Sequence, residues 1–484
     1  MRGLLAALTA AATLVAPAPH HDATTQIRVL SLNIFYGGDE LDLATGDFCA
    51  TPDGCPATLR QVERVIRASG ADIVGLQEPE RNTERIAADL GWHGSNHAHV
   101  MSRFPIVDPP GADGRYVFVE VTPGKVVAVA NTHLPSDPYG PYLVRDGGTK
   151  DEVLELERSV RLPAVRDLAR TLPALAAKGI PVVLTGDFNS PSPLDWTPAV
   201  AKVRPDVPYP VRWPAGAALL DAGLADTYRE AHPDPVRDPG FTWTPGGPES
   251  DPHEVFDRID WVLRAGPART VASRVVGEQV VSPYPTDHRG VVSTLDTRPA
   301  PPPVLVAPAA RRVTLGDAVA VRFHAPASSH VRVELRDPHG RTVAAAGTGG
   351  RRDGEVRLPT RGLARGEHEV ALVSGDGAVL TRTGIWVYPA GEPTQVSTAR
   401  SSVRKGEPIG VRWSNAPGMG LDWIAVYRVG ADAADYLTYE YTGGRVEGGL
   451  TIDSGSLSPG RYVLRLLPDD GYRAVAESRP FTVA

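Results

Sequence analysis

Cysteine is almost absent from this chain of 484 residues, which contains only Cys49 and Cys55. This rules out a fold stapled by many disulfides and disfavours a zinc site built from paired cysteines. Both cysteines lie in the stretch GDFCATPDGCPAT, which has the Gly, Pro and Asp content of a loop. Their short spacing predicts a single disulfide that restrains this loop without holding the fold together.

Long hydrophobic runs are absent after the first residues, which predicts a chain without membrane spans. The N-terminus, MRGLLAALTAAATLVAPAPHHD, has a basic residue, an apolar run over residues 4–15 and an Ala-Pro-Ala site. The run is too short to cross a bilayer, and this order is typical of a secretory signal peptide. We therefore predict a signal peptide over residues 1–22 and a mature protein that is secreted, with an extracellular location.

An excess of basic residues is also absent, because the formal net charge is −7. Residues 301–484 contain 22 Lys and Arg against 19 Asp and Glu, so the acidic excess lies in residues 1–300. An acidic first part that has no stripe of basic and aromatic residues is expected to bind long polyanions poorly, unless bound cations reverse the local electric field. Nucleic acid is therefore a partner that the charge does not favour.

A segment rich in Pro and Ala, TRPAPPPVLVAPAARR, divides the chain into two parts of different composition. Such a segment favours an extended, polyproline-like linker, which we predict over residues 298–311. Before it, stretches typical of strands and helices alternate, which indicates an α/β (α+β) domain over residues 23–297. After it, short strands and turns predict two β-sandwich modules, residues 312–390 and 391–484.

A weak internal repeat supports the division of the second part into two modules. VTLGDAVAVRF, residues 313–323, aligns with VRKGEPIGVRW, residues 403–413. Repeated supersecondary units leave this kind of signal, and the alternative is a chance similarity between turn-rich β segments.

Polar side chains with catalytic potential recur at the ends of predicted strands in the first part. In IPVVLTGDFNSPSP, residues 180–193, an apolar run typical of a buried strand ends in a Gly-Asp-Phe-Asn sequence. Alone, this ending is typical of a turn. Similar endings follow several other strands, and together they comprise Asn33, Glu78, His133, Asp187, Asn189, Asp260, Asp287 and His288.

This combination of carboxylates, imidazoles and amides suits the attack of water on a phosphate ester. Hard divalent cations prefer oxygen ligands, and such a cation can polarise a phosphoryl oxygen. Histidine can transfer a proton or stabilise developing charge, and an amide NH₂ can hold a phosphate oxygen. Taken singly, Asn33 could cap a turn and His133 could be a core histidine, so the interpretation depends on the whole set.

In this order, the motifs resemble the endonuclease/exonuclease/phosphatase superfamily, which has the deoxyribonuclease-I-like fold, and in particular secreted bacterial members. The resemblance covers about residues 25–297. It implies a four-layer α/β/β/α sandwich with two mainly antiparallel sheets and an active site at their edge. The alternation of strands and helices alone would favour a doubly wound parallel sheet. We follow the resemblance and predict the four-layer catalytic domain, followed by the two β-sandwich modules.

The resemblance also implies a metal site. Glu78 in LQE matches the principal Mg²⁺ ligand of the superfamily, and Asn33 lies beside the ion. Asp287 precedes the catalytic histidine as a metal-side or supporting carboxylate. Mg²⁺ is the expected cofactor, with Mn²⁺ and Ca²⁺ as alternatives.

Five further residues match catalytic positions of the superfamily. His133 in NTHL matches a residue that contacts the scissile phosphate, and Asn189 matches the amide that orients it. Asp187 matches the residue that binds or activates water. Asp260 in RIDWV matches the carboxylate that hydrogen-bonds the catalytic histidine, His288. Either Asp187 or His288 accepts the proton of the water.

The predicted function is that of a secreted, metal-dependent phosphoesterase, an enzyme that hydrolyses a phosphodiester. The substrate is open among nucleic acid, a phospholipid head group such as that of sphingomyelin, and small phosphodiesters. The β modules could hold the enzyme near a surface or a polymer. The alternative is an inactive extracellular binding or adhesion protein in which the β-sandwich modules dominate.

Overall fold

A computed structural model of the chain describes residues 24–484 except 48, 50–53, 247–252, 327–329 and 434. The predicted signal peptide, residues 1–22, lies outside the described residues. Among those that are described, no helix has both the length and the apolar character that a membrane crossing needs.

The first part of the chain contains strands and helices in alternation. The strands are β1 (Thr25–Asn33), β2 (Ile73–Gln77), β3 (His93–Ser95), β4 (Val100–Ser102), β5 (Ile106–Val107), β6 (Val117–Thr122), β7 (Lys125–His133), β8 (Val182–Asp187), β9 (Ala225–Asp226), β10 (Asp260–Ala265), β11 (Ala268–Val276) and β12 (Gly290–Thr297). The helices are α1 (Pro56–Ser69), α2 (Asn82–Leu90), α3 (Gly140–Arg145), α4 (Lys150–Val160), α5 (Leu162–Ala177), α6 (Pro214–Asp221) and α7 (Thr227–Ala231).

The helix boundaries follow local signals in the sequence. Helix α1 begins with Pro56, whose missing N–H costs nothing in the first turn, and ends at Gly70 in the left-handed region. Helix α4 begins with a capping box between Thr149 and Glu152. These signals fix where the two helices begin, and their apolar faces then pack on the sheets.

The strands form two six-stranded mixed sheets that pack face to face. The order is β11-β12-β1-β2-β4-β3 in the first sheet and β5-β6-β7-β8-β10-β9 in the second. Strand β1 is parallel to β2 and β7 is parallel to β8, whereas the other recorded pairs of these sheets are antiparallel. The doubly wound parallel sheet suggested by the alternation alone is therefore wrong.

Three apolar clusters fill the spaces between four layers. One lies between the two sheets and includes Val29, Val129 and Val183. A second includes residues of α1, α2 and the first sheet, and a third includes residues of α5, α6 and the second sheet. The predicted α/β/β/α sandwich is confirmed.

A close approach of the two sheets depends on Gly75 in β2. A Cβ atom at this position would lie 1.9 Å from Oγ1 of Thr185 in the facing sheet. Beside it, Asn131 accepts hydrogen bonds from Thr185 (2.8 Å) and from Gln77 (2.6 Å). These bonds satisfy polar groups between the sheets, directly beneath the ends of β2, β7 and β8.

The second part of the chain consists of strands only, within the described residues. The first set is β13 (Leu305–Pro308), β14 (Arg312–Thr314), β15 (Ala318–His324), β16 (Arg332–Arg336), β17 (Thr342–Gly347), β18 (Asp353–Pro359), β19 (Gly366–Val373) and β20 (Val379–Tyr388). The second set is β21 (Gln395–Thr398), β22 (Ser402–Val403), β23 (Ile409–Ser414), β24 (Trp423–Arg428), β25 (Tyr436–Tyr441), β26 (Gly448–Ile452), β27 (Gly460–Leu467), β28 (Ala476–Glu477) and β29 (Phe481–Val483).

Each set forms two sheets around its own apolar core, as predicted for two β-sandwich modules. The first module has sheets β13-β15-β18 and β14-β20-β19-β16-β17. The second has sheets β21-β23-β26 and β22-β29-β27-β24-β25, with β28 paired to β27.

Part of the predicted linker is strand, which corrects the picture of a free polyproline tether over residues 298–311. Strand β13 lies in this segment and pairs antiparallel with β15 of the first module. Ala300 forms a β-bridge with Val126 of the catalytic domain. The physical reason is the apolar sequence Leu305-Val306, which is buried in the fold and outweighs the extended bias of the prolines. The exact domain boundaries stay predictions.

The predicted disulfide is confirmed. Cys49 and Cys55 are bonded, with their Cα atoms 5.7 Å apart, in the loop that precedes α1. The backbone N–H of Cys55 donates to the carbonyl of Asp39, so the bond restrains a loop next to the first helix.

Candidate active site

The strand directions bring the predicted site residues to one edge of the two sheets. Strands β1, β2, β7 and β8 end at this edge, and the antiparallel strand β10 begins there. In the second sheet, Asp187 is in register with His133 on one side and with Asp260 on the other. The register therefore places three residues, far apart in the chain, in one row.

Glu78 follows β2 in a tight turn, with a φ of 55° in the left-handed region. Its carboxylate accepts hydrogen bonds from Nδ2 of Asn33 and from the backbone N–H of Tyr36, both at 3.0 Å. Non-glycine residues in this region are strained and cluster at functional sites. The turn directs a half-buried carboxylate into the cleft at the sheet edge.

The amide of Asn33 joins the two sheets at the site. Its Nδ2 donates to Glu78 and, at 3.0 Å, to Oδ2 of Asp187, while its Oδ1 accepts the backbone N–H of Phe35. In this orientation Asn33 holds two carboxylates together through its NH₂ group, and its Oδ1 keeps one further acceptor position beside the bond to Phe35.

His133 and Asn189 lie next to each other beside Asp187. Nδ2 of Asn189 lies 3.1 Å from Nε2 of His133 and donates to the carbonyl of Leu134 at 2.9 Å. Nε2 of His133 lies 3.6 Å from Oδ2 of Asp187 and 3.9 Å from Oε1 of Glu78. This half-buried imidazole therefore faces both carboxylates from the open side of the cleft.

Asp260 and His288 form a buried hydrogen-bonded pair. Nδ1 of His288 lies 2.9 Å from Oδ2 of Asp260, and Nε2 lies 3.5 Å from Oδ2 of Asp187. Burial alone would lower the pKa of His288, but the carboxylates of Asp260 and Asp187 raise it to about 10. The imidazole thus lies between two carboxylates that favour its charged form.

Ligand atoms of Asp187, Asp260 and His288 also lie within 4.8 Å of one another, a spacing that can hold a metal ion. Within this triad, Oδ2 of Asp260 is bonded to Nδ1 of His288, whereas the buried Oδ1 of Asp260 has no hydrogen-bond partner among the described residues. A second group of carboxylates lies on the side of the cleft next to Glu78.

Negative charge is concentrated on that side of the cleft. Burial, together with the carboxylates of Glu78 and Asp187, raises the pKa of Asp287 to about 6 against the opposing effect of His288. Within the described residues, the recorded ion pairs of Glu78 and Asp187 involve histidines only, with no Lys or Arg. A group of carboxylate oxygens that has no Lys or Arg partner among the described residues suits a divalent cation.

Several supporting residues were not predicted from the sequence. Oγ1 of Thr242 accepts the backbone N–H groups of Ile259 and Asp260, and Thr286 accepts the N–H of His288. No sequence signal pointed to these threonines. Trp243 lies with its ring centroid 4.9 Å from that of His288.

The match to a known family decides how this geometry is classified. Residues 30–288 match the model of the Endonuclease/Exonuclease/phosphatase family. The chain belongs to this family. The match spans every candidate residue from Asn33 to His288, so the family prediction is confirmed and the chain contains a hydrolase-type domain.

The chain is also similar to individual proteins. "Uncharacterized protein F14F9.5" of Caenorhabditis elegans is 27% identical over 274 residues, which cover 51% of this chain and 81% of that protein. The endonuclease/exonuclease/phosphatase from Beutenbergia cavernae is 21% identical with a TM-score of 0.36, covering 75% of this chain and 99% of that one. An AP endonuclease from Archaeoglobus fulgidus is 16% identical with a TM-score of 0.36, covering 55% and 98%. These TM-scores are too low to assign a function.

Proposed function

We propose that this protein is an extracellular, divalent-metal-dependent phosphodiester hydrolase. The observation that carries the proposal is the meeting of Asn33, Glu78, His133, Asp187 and His288 at one sheet edge, linked by distances of 3.0–3.9 Å. This is the set of oxygen ligands and proton-transferring groups that attack of water on a phosphate ester needs.

The carboxylates of Glu78 and Asp287 would hold the metal ion, with Asn33 beside it. Mg²⁺ is the proposed ion, and Mn²⁺ and Ca²⁺ share its preference for oxygen ligands. When bound, such an ion polarises a phosphoryl oxygen and neutralises the charge that develops on it. The crowding of carboxylates without a Lys or Arg partner within the described residues supports this location.

The side chains around this position have separate roles in the proposed reaction. His133 and Asn189 contact each other at 3.1 Å beside this position, and their N–H groups would turn to the phosphate oxygens when the substrate replaces that contact. Asp187 orients the attacking water, and the proton passes to the Asp187–His288 pair, whose nearest atoms are 3.5 Å apart. Asp260 fixes the ring of His288 through the bond to Nδ1 and stabilises its positive charge.

The extracellular location is supported by the Cys49–Cys55 disulfide, since such bonds persist in oxidising compartments. The N-terminal sequence has the order of a secretory signal peptide. Mass spectrometry of the exported protein tests the location, and we expect a mature N-terminus close to residue 22.

The function is tested with the full-length protein and bis-p-nitrophenyl phosphate. After removal of metals with a chelator, we expect no hydrolysis, and we expect hydrolysis to return with Mg²⁺ or Mn²⁺. Asp187→Asn and His288→Gln should each lower kcat/KM by about 10²- to 10⁴-fold. Asp167→Asn makes the same change of charge on an exposed part of α5 and should leave it unchanged. Hydrolysis that needs no metal, or that survives both active-site changes, would contradict the proposed mechanism. No hydrolysis with any of these metals would favour the binding-protein alternative.

A further inference from the structure

The second β-sandwich module docks next to the candidate active site. Asp469, in the loop after β27, lies with Oδ1 2.5 Å from Nε2 of His99 and accepts the backbone N–H of Arg81 at 3.0 Å. Gly471 in the same loop packs so closely that a Cβ atom would lie 3.1 Å from Oε2 of Glu80. A loop of the C-terminal module is therefore fixed against the turn that contains Glu78.

This docking places Asp470 and Tyr472 along the cleft. The ring of Tyr472 lies 6.2 Å from that of Tyr36, whose backbone N–H binds Glu78. The surrounding protein raises the pKa of Asp470 by limiting its hydration, and the imidazole of His133 opposes that shift. Asp470 is therefore within electrostatic reach of the site.

Strand β25 continues this wall with a row of tyrosines. Because the register between β24 and β25 shifts around Leu437, Tyr436 lies on the same face as Tyr439 and Tyr441. Their exposed fractions are 37%, 42% and 41%, although large apolar side chains are commonly buried. Together with Tyr472 they form the tyrosine surface, defined here as Tyr436, Tyr439, Tyr441 and Tyr472.

The tyrosine surface is rigidly packed. The rings of Tyr436, Tyr439 and Tyr472 each meet the buried Trp423 edge to face, with centroids 5.2–5.9 Å apart. The hydroxyl of Tyr441 donates to Oδ1 of Asp470 at 2.8 Å. The aromatic faces and the carboxylate are thus held in place before any ligand arrives.

The charges around this surface favour a cation. Residues 429–441 include three acidic residues, among them Glu440, and no Lys or Arg. On the same sheet, the guanidinium of Arg465 already stacks over Tyr427 at 4.4 Å. Among the described residues, no such recorded contact covers the rings of the tyrosine surface. Aromatic faces and a nearby carboxylate attract weakly hydrated cations, whereas a polyanion would be repelled.

We propose that the tyrosine surface and Asp470 bind the quaternary ammonium group of a phosphocholine ester whose phosphate lies in the candidate active site. This inference rests on the proposed hydrolase function and names its substrate class. A quaternary ammonium group is weakly hydrated and has no N–H to donate. It therefore suits aromatic faces beside the carboxylate of Asp470, whose Oδ1 already accepts a hydrogen bond from Tyr441. The C-terminal module would then provide the specificity of the catalytic domain.

The first test compares two soluble esters that differ only in charge. We expect the full-length protein, loaded with Mg²⁺, to prefer p-nitrophenyl phosphorylcholine over the 3,3-dimethylbutyl ester, its neutral isostere, by about 3- to 30-fold in kcat/KM. Tyr439→Leu and Asp470→Asn should remove most of this preference. Tyr439→Phe, which keeps the aromatic face, should retain it. A preference that is absent from the wild type, or that survives both disruptive changes, overturns the proposal.

The second test measures binding without hydrolysis. Phosphocholine should quench the fluorescence of the full-length protein, with weaker binding in Tyr439→Leu than in Tyr439→Phe. Such binding without any phosphodiesterase activity would defeat the proposed function but not the ammonium site. Hydrolysis of bis-p-nitrophenyl phosphate without phosphocholine binding would defeat the ammonium site alone. Equal binding to phosphatidylcholine and phosphatidylglycerol vesicles, insensitive to Tyr439→Leu, would also overturn it.

Discussion

At the scale of single residues, the site depends on polar groups that the fold buries in pairs. Asp260 is fully buried and lies between Ile259 and Trp261, so its carboxylate needs a partner of opposite charge. His288 provides this partner through Nδ1 at 2.9 Å. The pair therefore stabilises itself and at the same time orients Nε2 toward Asp187.

Replacement of Asp260 by asparagine tests this pairing. Asp260→Asn keeps the size of the side chain but removes the charge that orients and stabilises the imidazolium of His288. We expect kcat/KM for bis-p-nitrophenyl phosphate to fall by about 10²- to 10⁴-fold while circular dichroism stays that of the wild type. Activity close to that of the wild type would show that His288 works without its partner.

The sequence predicted the identity of these residues better than their orientation. The strand-end positions of Glu78 and Asp187 were readable from apolar runs that end in polar groups. The orientation of Asn33, whose Nδ2 donates to both carboxylates, was not readable from the sequence. It depends on the hydrogen bond that Oδ1 accepts from the backbone N–H of Phe35. Hydrogen-bond direction is set by neighbours that the sequence does not reveal.

At the scale of elements, the spacing of the two sheets sets the geometry of the site. Gly75 lets the first sheet approach Thr185, and the carboxyl ends of β2 and β8 then lie side by side. The family resemblance predicted the two facing sheets, whereas strand alternation alone predicted a different topology. Periodicity identifies strands, but it does not say which of them pair.

Gly75→Ala tests the sheet spacing. Because the new methyl group would lie 1.9 Å from Oγ1 of Thr185, the sheets must separate or Thr185 must move. We expect the midpoint of urea unfolding to shift by an amount equivalent to a loss of about 1–3 kcal/mol. Gly347→Ala, at an exposed position of β17 where the nearest atom would lie 4.0 Å from the new methyl group, changes the same residue type without a clash and should lose less. Equal losses would argue against a sheet-spacing role.

A buried ion-pair network fixes the loop that follows β8. The guanidinium of Arg258 lies 2.7 Å from Asp226 and 2.9 Å from Asp195, and its side chain is fully buried. We expect Arg258→Ala to lower the free energy of unfolding by about 3–5 kcal/mol, since it leaves the buried Asp226 without its guanidinium and Asp195 with Arg229 alone. Arg170→Ala removes an exposed pair on α5 and should cost at most about 1 kcal/mol. Chemical denaturation of both variants provides the comparison.

At the scale of the whole molecule, the C-terminal module extends the catalytic cleft. The contact between His99 and Asp469 joins residues that are 370 positions apart. The sequence predicted both modules but not this contact, because neither residue belongs to a local pattern. Only the docked arrangement shows that Asp470 and Tyr472 lie beside the site.

The docking contact predicts a dependence of stability on pH. Burial by itself lowers the pKa of His99, but the carboxylates of Asp469 and Asp470 raise it above its ordinary value of 6.5. A raised pKa in the folded state means that this stabilisation is complete below pH 6.5 and is lost as the pH rises through the folded value. The melting temperature of the wild type should therefore exceed that of His99→Gln at acidic pH, and the difference should shrink at alkaline pH. A difference that does not change with pH would contradict the ion pair.

The central claim is that the candidate site residues that run from Glu78 to His288 in the sequence surround one metal ion and one phosphate group. Anomalous diffraction from crystals of the full-length protein grown with Mn²⁺ tests it most directly. The account predicts a peak bonded to the carboxylate of Glu78, with the hydrogen bond between Asp260 and His288 intact. A peak inside the Asp187–Asp260–His288 triad, or no peak at this sheet edge, would contradict it.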